Sequence, residues 1–388
     1  MKMFKIKSRL TLPILILILF QSASAFGQSM LRDEIDIPNI LGYITLKCDF
    51  HMHTVFSDGN VWPTVRVEEA WREGLDAIAI TDHIEYQPHQ SDVVTNHNRA
   101  FEIAQGTAQR LGIILIRGGE ITRSMPPGHL NAIFLNDCSE LVKEEYIDAI
   151  AAAVKQGGFI IWNHPGWRGQ QPDGVARWYQ DHTELLNKGW LNGIEVVNST
   201  EYYPEVHRWC LDKNLTMFGN SDIHIPTNMF FDFSRGDHRS MTLVFAKKRT
   251  KEEIKKALFS RRTAVYFKDK LIGEERFLRP IFKNSISIKN QKIVLKGRAK
   301  VALQIHNSSD LVFRLISDSS LDEVKAPKRI TLYPHKTVLF SVQAREDSIA
   351  FKKKIDLPYR VTNLLIAPET PLPVAITVDV KFIPSKKR

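Results

Sequence analysis

The sequence predicts an α/β chain, a parallel barrel or sheet built from β-then-α units, followed by a small all-β sandwich-like domain. Three observations carry this. Between Tyr43 and about Gly273, short apolar runs alternate with amphipathic stretches, which is the texture of one α/β unit rather than of separate modules. From about Arg279 the runs turn β-rich, with polar turns between them, as in a sandwich. No segment recurs at a fixed period, which excludes a solenoid. A chain of 388 residues, 43% hydrophobic and 25% charged, has the size and composition of two globular domains.

Along the chain, "MKMFKIKSRL" is a basic segment, "TLPILILILF" a short apolar one, and Ala23-x-Ala25 a small-residue cleavage site. Residues 1–25 therefore read as a signal peptide, which directs the chain to the periplasm or cell envelope and leaves no transmembrane segment in the mature form. A lead-in, 26–42, precedes the α/β region, 43–273. There "YITLKCDFHMH", "LDAIAITDH", "IILIRGGE", "HLNAIFL", "FIIWNHPG", "LNGIEVVN", "LTMFGNSDIH" and "SMTLVFA" read as strands. Between them, segments such as "PTVRVEEAWREG" and "KEEYIDAIAAAVKQGG" carry helical periodicity. The β domain spans 280–384 and a basic tail 385–388.

Cys48, Cys138 and Cys210 are too few for a disulfide framework and read as buried thiols. The net charge of +10 is uneven: about +4 in the signal peptide, about +12 from Lys270 onward, and about −6 between. The acidic middle and the absence of a reading motif in the basic part argue against nucleic acid as a partner.

The strand ends carry the chemistry. The first supplies His51 and His53, one pleat apart and on one side of the strand, with Asp58 in the loop beyond. The second ends on Asp82 and His83, the third on Glu120, and the fourth is entered by His129. The fifth ends on His164 and the seventh on Asp222 and His224. In a (β/α) barrel the strand C-termini share one face, so these side chains converge although distant in sequence. Imidazole and carboxylate without thiolate suit zinc, manganese or iron.

In this order and at these strand ends, "DFHMHTVFSDG", "ITDH", "GGE", "NHPG" and "SDIH" resemble the motifs of the PHP (polymerase and histidinol phosphatase) superfamily from about Leu46 to Phe267. The resemblance implies a distorted (β/α)7 barrel with three divalent metal ions. The first would take His51, His53, Glu120 and Asp222; the second would share Glu120 and add His129 and His164; the third would take Asp58, His83 and His224. Some relatives carry a histidine where this chain has Asp58. With its signal peptide and β-rich tail, the whole chain is similar to exported PHP proteins of the Sb-PDE phosphodiesterase group.

Such a site implies hydrolysis of a small phosphoester, a diester before a monoester, by a metal-bridged hydroxide without a Ser or Cys nucleophile. Arg123 and Arg168 are the expected phosphate clamps, and His97 a candidate proton donor. Glu195 and Asn198 would bind substrate or orient a ligand, and Trp62, Trp167, Tyr202 and Tyr203 would rim the pocket. Other readings are a monoester phosphatase, an exonuclease, or a non-catalytic envelope-binding module.

Overall fold

The structure, a computed structural model, describes residues 31–317, 319–348 and 350–385. The expected signal peptide and residues 386–388 of the basic tail lie outside the described residues.

The α/β region runs β1 (Ile44–Asp49), α1 (Pro63–Arg72), β2 (Ala77–Ile80), α2 (Arg99–Leu111), β3 (Ile114–Ile121), β4 (Leu130–Ile133), α3 (Tyr146–Lys155), β5 (Phe159–Trp162), α4 (Gln180–Asn187), β6 (Gly193–Asn198), β7 (Glu201–Tyr202), α5 (Pro204–Asp212) and β8 (Thr216–Asn220). Both α1 and α5 begin on a proline, whose fixed φ suits the first helical position. The end of α2 is Gly112 at φ +68°, the left-handed cap that glycine adopts without penalty.

Strands β1, β2 and β3 are parallel neighbours, as are β5, β6 and β8. The ring closes where β8 returns to β1: Met52 and Ile223 form a parallel bridge, His53 N donates to Ile223 O (3.1 Å) and Asp222 N to His51 O (2.9 Å). The barrel is therefore seven-stranded and distorted, because β4 runs antiparallel to both β3 and β5. Phe50, Phe159 and Phe218, all fully buried, meet edge-on inside it at centroid distances of 5.7 and 5.6 Å.

Two expectations are corrected here. The "SMTLVFA" strand, β9 (Met241–Ala246), is not a further parallel unit but pairs antiparallel with β1 outside the ring. After α6 (Lys251–Phe259), β10 (Thr263–Phe267) and β11 (Lys270–Gly273) continue that antiparallel extension. The β domain is also entered through a helix, α7 (Glu275–Ser285), which buries Phe277, Leu278, Ile281 and Phe282, so an onset at residue 280 falls inside it. Pro280 within that helix is what disguises it in the sequence.

The remaining strands are β12 (Ile286–Ile288), β13 (Lys292–Lys296), β14 (Lys300–Asn307), β15 (Phe313–Ile316), β16 (Val324–Lys325), β17 (Arg329–Leu332), β18 (Thr337–Ala344), β19 (Lys352–Ala367) and β20 (Thr370–Ile383). The sheet order β12-β14-β18-β16 packs over β13-β20-β19, and β19 joins β11 in parallel through Leu271↔Leu364 and Ile272↔Leu365. One sheet thus passes from the barrel extension into the sandwich. Leu243, Phe245, Phe277 and Phe282 share a buried cluster with Leu303, Phe313 and Val342. No helix among the described residues is long and apolar enough to cross a membrane.

Two core histidines tie stability to pH. His182 is fully buried, stacks on Trp162 at 3.6 Å, accepts from Tyr179 N and donates from Nε2 to Pro127 O. His207 is also fully buried and accepts from the Tyr202 hydroxyl. Burial lowers both pKa values to about 4, with Arg208 adding to the effect at His207. A depressed histidine means that the unfolded chain binds the proton first. The stabilisation is complete above the unfolded value near 6.5 and is lost as pH falls toward about 4. Urea unfolding should show stability falling by up to about 1.4 kcal/mol per pH unit per histidine in that window, with a shallower slope in His182→Asn.

Candidate metal centre

Nine side chains converge at the C-terminal mouth of the barrel: His51, His53, Asp58, His83, Glu120, His129, His164, Asp222 and His224. They fall into four overlapping groups able to hold a metal ion: His53–Asp58–His83–His224, His51–His53–Glu120, His51–His164–Asp222 and His83–Glu120–His129. The expected ligand set is brought together, with a finer overlap than the resemblance implies. His164 falls with His51 and Asp222, and His53 and His83 each stand in two groups.

Local backbone aims these groups. His51 and His53 leave β1 on the same side, their Nε2 atoms 3.1 Å apart. Asp222 and His164 adopt positive φ, +51° and +30°. That conformation is costly for a side-chain-bearing residue and is held only where surrounding bonds enforce it. Gly59 lets the Asp58 loop fold back onto the His53 backbone; a Cβ there would lie 2.6 Å from the His53 carbonyl carbon. Asp82 turns away from the cluster and accepts from Thr54 N, Thr54 Oγ1 and Ser57 Oγ. Ser57 in turn lies 3.3 Å from His53 Nδ1.

The donor set fits cations. Glu120 Oε2 lies 3.4, 3.3 and 3.0 Å from nitrogens of His51, His53 and His83, yet receives a hydrogen bond from none of them. Asp58 Oδ1 is similarly buried without a hydrogen bond, although His83 and His224 nitrogens lie 3.6 and 3.3 Å away. His51 Nδ1 is committed to Glu195 Oε1 at 2.8 Å, so its Nε2 lone pair points at His53 Nε2. Lone pairs that meet without protons between them are the signature of a coordination site.

Protons compete for the same positions. Burial opposes charge on His51, but Asp222, Glu195 and Glu120 outweigh it and hold its pKa well above the usual range. Burial likewise opposes charge on His83, whose pKa Glu120 and Asp58 raise to about 10. His53 goes the other way, to about 3, because burial is reinforced by the charges of His224 and His83. For Glu120 and Asp222, burial favours the neutral acid but the imidazoles prevail and push both pKa values down. Cation binding here must displace protons, and is accordingly pH-dependent.

Glu195 is not exposed to substrate. It is fully buried and accepts from four donors: His51 Nδ1 and His164 N at 2.8 Å, Asn220 Nδ2 at 2.9 Å and Asn198 Nδ2 at 2.8 Å. Asn198 also reaches Asp222 Oδ2 at 3.3 Å. Both residues hydrogen-bond candidate ligand residues.

The clamp expectation is corrected. The Arg123 guanidinium pairs with Glu85 at 2.8 Å and donates to the Lys143 and Glu144 carbonyls. Arg168 donates to Pro172 O and packs against Gly174. The Arg123 guanidinium is thus held by neighbouring segments, and that of Arg168 by one carbonyl of its own loop. His97 stands outside the four groups, its Nδ1 3.4 Å from Gln87 Nε2. Of the four expected rim residues, Trp62 (47%) and Trp167 (45%) are exposed, whereas Tyr203 is buried and Tyr202 bonds His207.

Several contributors escape a reading by motif. Asn163 donates to Glu120 Oε1 at 2.8 Å, and its place beside His164 in "NHPG" is the one available signal. Fully buried Arg66 donates to the carbonyls of His53, Ile223 and Ile225, tying the two ligand loops together. Arg239, equally buried, chelates Glu73 at 2.6 and 2.9 Å and reaches Asp49. Asp49 in turn accepts from Ser221, next to Asp222.

A seven-stranded α/β barrel with such strand ends defines a class, that of barrels built around a candidate multinuclear metal site. Comparison with known proteins narrows it. A PHP domain matches residues 49–215 and an Ig-like domain residues 286–377. The PHP match takes in every ligand candidate except Asp222 and His224. A crystal structure of a two-domain protein of Bacteroides vulgatus ATCC 8482, described as containing a predicted PHP-like metal-dependent phosphoesterase, is 49% identical. It aligns over 89% of this chain and 99% of its own, with a TM-score of 0.85. A 5'-3' exoribonuclease of Haemophilus influenzae is 33% identical over 93 residues, which are 24% of this chain and 30% of that protein. A putative metal-dependent phosphoesterase of Bifidobacterium adolescentis is remote, at 17% identity and a TM-score of 0.39 over 55% of this chain and 96% of its own. This chain belongs to the PHP family, with an Ig-like domain fused behind the barrel.

Glu195→Gln keeps the shape of the side chain but removes the charge that orients His51 and the His164 backbone. Metal affinity, measured by competition with a chromophoric chelator, should fall by about 10- to 100-fold.

Proposed function

We propose that this protein is a metal-dependent phosphoesterase that hydrolyses phosphodiesters and holds three divalent cations, zinc, manganese or iron, among the nine converging side chains. The observation that carries the reading is the set of buried, unbonded carboxylate oxygens, Glu120 Oε2 and Asp58 Oδ1, facing imidazole nitrogens at 3.0–3.6 Å. Cations bound there would lower the pKa of a water and offset charge on the phosphoryl oxygens. The chain itself supplies orientation. Glu195 fixes the His51 tautomer, Asn163 fixes the Glu120 carboxylate, and Arg66 fixes the backbone of both ligand loops.

A diester fits better than a monoester. Among the described residues, no ion pair at the cluster involves a lysine or an arginine: Arg123 pairs with Glu85, and exposed Arg168 donates to Pro172 O of its own loop. Beyond its cations the site therefore offers no fixed positive group for the second charge of a monoester. The exoribonuclease relative is consistent with this, RNA being a phosphodiester polymer, although the shared segment is short. The signal-like residues 1–25 support export to the periplasm or cell envelope as part of the same reading.

The test compares bis(p-nitrophenyl) phosphate with p-nitrophenyl phosphate on the protein loaded with Mn²⁺ or Zn²⁺. Diester cleavage should be the faster, should vanish on chelation and return with metal, and should fall by about 10³-fold or more in His53→Ala. A preference for the monoester would replace the diester reading, and no metal-dependent turnover of either would remove the esterase reading.

A further inference from the structure

Trp167 follows His164 by three residues, and its ring lies 5.4 Å from the ring of His164 and 5.7 Å from that of His129. It is nevertheless 45% exposed. An indole half in water beside a polar centre gives up burial that a core position would provide, and here the ring is held there by construction. Its benzo edge lies over Gly169, where a Cβ would come within 2.5 Å of Cζ2. The loop beneath is closed by Trp167 N to His164 O and by Gln170 N and Gln171 N to Trp167 O, and Gln170 Nε2 anchors it to Arg123 O. On the opposite flank Tyr86, 52% exposed, stands 6.0 Å from the His83 ring. Exposed aromatic rings thus stand beside three of the candidate ligand histidines, and that of Trp167 packs on Gly169.

We propose that Trp167 is a stacking platform that selects phosphodiesters carrying a planar group on the ester arm that stays on the phosphate. The inference rests on the phosphoesterase reading and adds the substrate class to it. A phosphoryl group at the cluster would place the retained arm over the exposed part of the indole and the leaving arm toward Tyr86. The planar group could be an aryl ring esterified directly or the base of a nucleoside one sugar away. Both share the flat π-face that an immobile indole recognises without sequence- or group-specific hydrogen bonds.

The experiment holds the leaving group constant and varies the other arm. Turnover of p-nitrophenyl methyl phosphate, bis(p-nitrophenyl) phosphate and thymidine 5'-(p-nitrophenyl) phosphate is measured on the full Mn²⁺-loaded chain, on Trp167→Ala and on Trp167→Phe. Trp167→Ala should lower kcat/KM by about tenfold, through KM, for the aryl or the thymidine diester. The methyl diester should change by less than about twofold, and Trp167→Phe should restore most of the loss. Which planar substrate suffers identifies the arm. A loss equal across all three substrates, or a loss in none, overturns the inference. If the unaltered protein cleaves none of them, the esterase reading fails by itself, and calorimetric binding of phenyl phosphate against methyl phosphate then decides. A preference for phenyl phosphate that Trp167→Ala abolishes sustains the platform, and equal affinities refute it.

Discussion

At the base of the site a carboxylate is buried behind the ligand cluster. Glu195 is fully enclosed, and its charge is offset by hydrogen bonds from His51, Asn220, Asn198 and the backbone of His164. A desolvated anion tolerates such a position only when its acceptor capacity is filled. The four donors come from β1, β6, β8 and the turn after β5, so satisfying one side chain brings together the ends of four separate strands. The positive φ of His164 follows from the same demand, because its N–H must point inward to Glu195 while its ring faces the cluster. The candidate ligand cluster is thus positioned by an anion that stands outside it.

Above that base the electrostatics are balanced between two occupants. Three carboxylates and six imidazoles are packed so closely that His51 and His83 favour the charged form while His53 is driven to the neutral one. Protons alone leave Glu120 Oε2 and Asp58 Oδ1 without directed bonds. Divalent cations held by these residues would satisfy those atoms and relieve the crowding of like-charged imidazoles together. The same surroundings therefore make the cluster poor at holding protons in good geometry and suited to holding metal.

How much of this was legible followed from where each residue sits on its element. Strand ends are readable: His51 and His53 declare a shared side by their spacing, and each later ligand closes an apolar run. Direction is not, since a fully buried strand has the same composition whether parallel or antiparallel. This is why β9 passed for another barrel unit and the reversal of β4 left no trace. Arg66 and Arg239 were invisible because arginine is rarely enclosed, and their partners lie as far as 190 residues away for Asp49 and Arg239. Arg123 and Arg168 failed for a related reason. Sequence places a guanidinium on the correct face, but the fold of the loops decides what it meets.

The parallel pairing of β11 with β19 has a consequence for the history of the chain. The Ig-like sandwich is not hung from the barrel by a tether but spliced into the same ladder of backbone hydrogen bonds, with α7 wedged into the seam. A gene encoding only the barrel would yield a protein with a raw, unpaired margin along β11, the kind of surface that recruits stray strands. Such a module cannot be shuffled freely among other partners. The two halves are heritable as one body, and a new fusion of this barrel would need a replacement strand for that margin before it needed any new function.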